Sequence, residues 1–84
     1  MQIIDIQAAK YEINRMAREF DSTTFVPEIN EHYDGEYYTI IFQRGSHTYS
    51  LEVEGERLAG WLKDGQRSQD MEETVRLAVE ELGS

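Results

Sequence analysis

The sequence predicts an α+β fold, an antiparallel meander of three or four strands with N- and C-terminal helices packed on one face, in the order α-β-β-β-(β)-α. Three observations carry this. Asp34-Gly35 and Gly45-Ser46 divide residues 29–53, INEHYDGEYYTIIFQRGSHTYSLEV, into three runs. Within those runs apolar side chains alternate, which is the period of a half-buried strand. On either side of them, apolar residues recur instead at the spacing of a helix face.

The first helix is expected from Asp5 to about Asp21. Ile6, Ala9, Ile13, Met16, Ala17 and Phe20 share one side, while Lys10, Glu12, Arg15, Arg18 and Glu19 fall mainly on the other. Asp5 suits the N-cap, where its carboxylate accepts from free backbone N–H groups and meets the positive end of the helix dipole. Ser22-Thr23-Thr24 connects onward. Pro27 cannot donate to a ladder, so the first strand is expected at a sheet edge or only after this residue.

Asp-Gly between alternating runs is a strong hairpin signal, because a type I′ turn needs positive φ at both central residues. A two-residue loop at Asp34-Gly35 would oppose Tyr33 to Glu36, Glu31 to Tyr38 and Ile29 to Ile40. Ile29, Tyr33, Tyr38, Ile40 and Phe42 then share a face, and the Gly45 turn adds Tyr49, Leu51 and Val53 to it. The other face carries Asn30, His32, Tyr37, Thr39, Ile41, Gln43, Thr48, Ser50 and Glu52. One wet face is normal for an antiparallel sheet.

Two readings compete after Val53. Leu58, Trp61 and Leu62 fit a short helical turn. Alternatively, Glu54-Gly55 is a third hairpin turn, pairing Glu52 with Arg57 and Leu51 with Leu58 in a fourth strand. The strand is favoured, because a charge pair and a leucine pair arise together. Asp64-Gly65 is a further turn. Asp70-x-x-Glu73 resembles a capping box with Asp as N-cap. Met71, Val75, Ala78, Val79 and Leu82 then form a helical stripe, which Gly83 is placed to end.

The chain, residues 1–84, is expected to be a single domain with one modest core. Its net charge is −9, from 17 acidic and 8 basic residues. That balance disfavours a phosphate backbone or an acidic membrane leaflet as partner and favours a basic protein. There is no cysteine, hence no disulfide framework or thiolate chemistry. No secretory signal or apolar run of spanning length is apparent, so cytoplasmic residence is the expectation.

In a meander, the turns at 34–35 and 54–55 lie at one end of the sheet. Asp34, Glu36, Glu52, Glu54 and Glu56 should gather there, with Arg44 at the far end. Such a rim keeps a sheet end solvated. It also suits a basic partner, since spaced carboxylates can imitate phosphates. EF-hand ligand spacing is absent, and no metal or cofactor is expected. Tyr37, Ile41 and His32 on the wet face make a second surface, for a partner or for a homodimer. Trp61 beside Gly60 fits either a rim anchor or the core. His32 and His47 fall at opposite sheet ends, which is poor geometry for a shared metal or a nucleophile–base pair. Ser46 and Ser50 have no evident base, and no catalytic residue is assigned.

The element order is similar to that of double-stranded RNA-binding domains, which depend on a basic start to the last helix. This chain has Asp70, Glu72 and Glu73 there, which removes the RNA-binding inference. The segment from Tyr37 to Leu82 also resembles HicB-type antitoxins, through YYTIIF, LAGWLKDG and MEETVRLAVEEL, although an extra helix precedes its strands. HicB-type proteins neutralise an RNA-cleaving toxin, so the resemblance implies a protein-binding role. The functional expectation is therefore a small acidic protein-binding module, contacting its partner through Asp34, Glu36, Glu52, Glu54, Glu56 and Tyr37. In its most specific form this is an inhibitor occluding a nucleic-acid-binding surface, as phage-encoded anti-defence proteins do. The alternative is a HicB-like antitoxin or a homodimerising structural domain.

Overall fold

A computed structural model describes residues 4–63 and 68–83. Helix α1 (Ile6–Phe20) leads into strands β1 (Phe25–His32), β2 (Tyr37–Arg44) and β3 (His47–Glu54), followed by helices α2 (Gly55–Lys63) and α3 (Gln69–Leu82). The three strands form one antiparallel sheet in the order β1-β2-β3. The helices share a single apolar core with one face of it.

Helix α1 forms as its pattern requires. Asp5 caps it, its Oδ1 accepting from the N–H groups of Gln7 and Ala8 at 3.1 and 3.2 Å. Ala9, Ile13, Met16 and Ala17 are buried, and Ile6 and Phe20 pack at the margin. The register of β1 on β2 opposes Ile29 to Ile40 and Glu31 to Tyr38, as the hairpin argument requires. On β3, Val53 opposes Tyr38, Leu51 opposes Ile40 and Tyr49 opposes Phe42. Burying aliphatic and aromatic side chains of this size stabilises the fold by about 1.5–3 kcal/mol each, before conformational entropy is counted. Pro27 lies in an edge strand, beside a bulge between Phe25 and Glu28.

Four details differ from expectation. The 34–35 turn does have left-handed φ at Asp34 (55°) and Gly35 (93°), and Glu36 N–H donates to Tyr33 O at 3.2 Å. However, Tyr33 is left-handed as well (φ 52°), so the ladder closes at His32–Tyr37. Tyr33 therefore leaves the core face and stands 79 % exposed.

Second, there is no fourth strand among the described residues; 55–63 is helix. A strand with Leu58 inward would have turned Trp61 to water, whereas a helix buries both. Arg57 does not reach across to Glu52 but turns to α3. Third, the chain consequently ends in two helices, α2 and α3.

Fourth, Ser68 rather than Asp70 is the N-cap of α3, its Oγ accepting from Met71 N–H at 3.3 Å. Asp70 is the second residue of the helix, in its first turn, where Arg57 and Trp61 hold it. The stripe of Met71, Val75, Ala78, Val79 and Leu82 is buried, and the helix stops at Gly83. The expected Asp64-Gly65 turn lies outside the described residues.

Candidate functional site

The acidic end of the sheet is built by two chain reversals that touch. Gly55 N–H donates to Glu36 O at 2.9 Å, which lays the start of α2 directly on the β1–β2 turn. A side chain at 55 would collide with the backbone carbonyl of Gly35, so glycine is required there. The result is an open depression of about 510 Å³, lined by Tyr33, Asp34, Gly35, Glu36, Tyr37, Glu54, Gly55 and Glu56. Four carboxylates and two phenols surround it, and no cation lines it among the described residues.

Of the six residues expected to form the contact surface, Asp34, Glu36, Tyr37, Glu54 and Glu56 meet here. Glu52 does not. It sits two pairs back along β3 from Glu54, opposite Thr39 on the open face of the sheet. Tyr33 belongs to the depression, although strand alternation had assigned it to the core. Its ring meets Tyr37 edge-on, with centroids 6.5 Å apart and an interplanar angle of 78°. Alternation could not have revealed this, because the signal lies in the backbone of the turn.

The rest of the charge is arranged differently. Arg44, at the far end, donates to Asp21 Oδ2 at 2.7 Å and to Leu82 O at 3.4 Å. This guanidinium, with help from Thr23, holds the Asp21 carboxyl well below the usual carboxylate range. Arg57 grips Asp70 through two bonds of 2.7 and 2.8 Å and reaches Thr74 Oγ1 at 2.9 Å. Its guanidinium also lies 5.5 Å from the Trp61 ring centroid. Trp61 Nε1 donates to Asp70 Oδ2 at 2.7 Å. Arg57 and then Trp61 push the Asp70 pKa down to about 2. Trp61, 5 % exposed, is thus a core residue and not a rim anchor.

His32 pairs with Tyr37 at the acidic end, and His47 with Arg44 at the other. His32 Nε2 is hydrogen-bonded with Thr39 Oγ1 at 2.8 Å. The described residues contain no group of three or more His, Asp or Glu placed to hold a metal ion. None of their helices is long and apolar enough to cross a membrane. Comparison with protein-family models, with characterised proteins and with solved structures found no match to this chain.

Proposed function

We propose that this chain is a small acidic protein-binding module, and that the Tyr33–Tyr37 and Glu54–Glu56 segments form its contact surface toward a basic partner. One observation carries the reading: two turns bring four carboxylates and an edge-on tyrosine pair around one open depression that no cation among the described residues lines. Lysine and arginine side chains fit such a surface. Carboxylates attract the charge, and an exposed aromatic face adds a cation–π contact. Tyr33 supports it further, since a bulky residue held at φ 52° is strained, and strain of this kind collects at sites of function. A partner whose cationic groups otherwise grip nucleic acid would be occluded by the same contact, which is the inhibitor form of the proposal.

The test is a pull-down from the native host with the wild-type chain and with a Glu36→Gln, Glu54→Gln, Glu56→Gln variant. A partner retained by the wild type, released by salt and lost by the variant supports the reading. Equal retention by both overturns it.

A second reading is a homodimer through the open sheet face, where Tyr37 is 36 % exposed and Ile41 is half-buried and outside the apolar core. Light scattering on the wild type and on Ile41→Ser decides it.

A further inference from the structure

We propose that the outer edge of β3 accepts an extended, lysine- or arginine-bearing segment of the basic partner as an added strand. This rests on the protein-binding reading above and deepens it.

The hydrogen-bond frame says which backbone groups are free. Opposed residues in an antiparallel pair alternate between those that bond each other and those that do not. Gly55 N–H donates to Glu36 O, which marks the 36–55 pair as one of the bonded kind even though Glu36 N–H itself goes to Tyr33 O. Counting back along the register, Val53, Leu51, Tyr49 and His47 therefore turn their N–H and C=O groups toward β2. Thr48, Ser50 and Glu52 turn theirs outward, and no described residue bonds to them. The other edge is closed. In β1, Val26 N–H is taken by Asn14 Oδ1 at 2.9 Å, Pro27 has no N–H, and a bulge breaks the line. Of the usual protections of an edge, β3 has no proline, lysine or bulge, and its Glu52 and Glu54 repel an acidic strand but not a cationic one. The lane beside it is the one a fourth strand would have taken had residues 55–63 not turned away as α2.

The side chains along that edge define the occupant. Thr48, Ser50, Glu52 and Glu54 lie exposed on the open face, which carries no Lys or Arg. Tyr49 and Leu51 lie half-buried on the core face. Cross-strand neighbours share a face. An added strand with a cation at every second residue would set those cations against Glu52 and Glu54, and its intervening apolar residues would extend the core past Tyr49 and Leu51. A second copy fits less well, because two-fold pairing would gather both copies' Glu52 and Glu54 on one face and join two chains of charge −9.

The test uses the full chain, isotope-labelled for NMR, with a synthetic peptide of alternating lysine and valine and a control of alternating glutamate and valine. The lysine peptide is expected to bind at low salt and to slow amide exchange at Thr48, Ser50 and Glu52. Ser50→Pro removes one outward N–H and should weaken binding about tenfold. Glu52→Lys, which leaves the backbone intact, should do the same and serves if the proline variant does not fold. Spectral changes confined to Tyr33–Tyr37 and Glu56, with β3 exchange unchanged, would overturn the added strand and leave the depression as the contact surface. No binding by the lysine peptide would overturn both. Equal binding of the glutamate peptide would remove the cationic assignment. Protection of the same amides by concentration alone, with dimers in light scattering, would give the edge to a second copy.

Discussion

Gly55 N–H donates to Glu36 O at 2.9 Å, and that bond joins the tip of the first hairpin to the first residue of α2. The contact leaves no room for a side chain. Gly55→Ala would drive its methyl into the Gly35 carbonyl, and such overpacking costs about 1–3 kcal/mol or more. Gly60, inside the same helix, has open space where its Cβ would be. Gly60→Ala should therefore stabilise by about 0.5–1 kcal/mol. Denaturant melts of the two variants should move in opposite directions.

The Arg57–Asp70–Trp61 clasp makes stability depend on acid. Asp70 has a folded pKa of about 2, against an ordinary carboxylate value of about 4. A depressed pKa contributes stability that is complete above the unfolded value and is lost as pH falls toward the folded one. The loss should fall between about pH 4 and pH 2, with Asp21 adding to it at the low end. Protonation of the exposed acids relieves repulsion and acts oppositely, so the informative quantity is the Tm difference between wild type and Asp70→Asn. That difference should be largest near neutrality and shrink below about pH 4. A pH-independent difference would refute the assignment.

Leaving the buried Trp61 N–H without an acceptor has its own cost. Asp70→Leu should destabilise at neutral pH by about 1–3 kcal/mol, the usual penalty for an orphaned buried donor. Thermal melts would show it.

Tyr33 is held in the left-handed region with its ring in water. Asn adopts that conformation more readily. Tyr33→Asn should leave stability unchanged or raise it by up to about 1 kcal/mol, while weakening partner binding. A stability loss above that size would mean the ring supports the fold.

The acidic rim should contribute nothing to stability. Glu36→Gln with Glu54→Gln is expected to leave unfolding within about 0.5 kcal/mol of the wild type or to stabilise slightly. With a net charge of −9, added salt should raise Tm by screening self-repulsion. A melt insensitive to both changes in salt and charge would show that the acids are already compensated.

The strands were legible because two local signals, Asp34-Gly35 and Gly45-Ser46, independently fix the register that places Ile29, Ile40 and Leu51 on one face. The outer helices were legible from periodicity alone. For residues 55–63 the sequence pattern favours a strand over a helical turn, because Glu52 with Arg57 and Leu51 with Leu58 make good strand partners, yet the segment is helix. The competing partner of Arg57 is Asp70, 13 positions on, and only folding brings them together. Asp70 matches the cap pattern locally, but its carboxylate is taken by Arg57 and Trp61, and Ser68 two residues earlier is the cap. Four of the five expected rim acids, Asp34, Glu36, Glu54 and Glu56, meet because the chain reversals at 34–35 and 54–55 lie at one end of the sheet. Glu52 is left out by two residues along β3, and Tyr33 joins through a backbone angle that no side-chain pattern encodes.

Arg44 touches the residue that closes α1 and a carbonyl in the last turn of α3. Carbonyls at a helix C-terminus carry partial negative charge that a cation offsets. One guanidinium thus serves two helix ends that are far apart along the chain. Neither end can fray without loosening the other, so the two last turns should open as one cooperative unit rather than as independent tips.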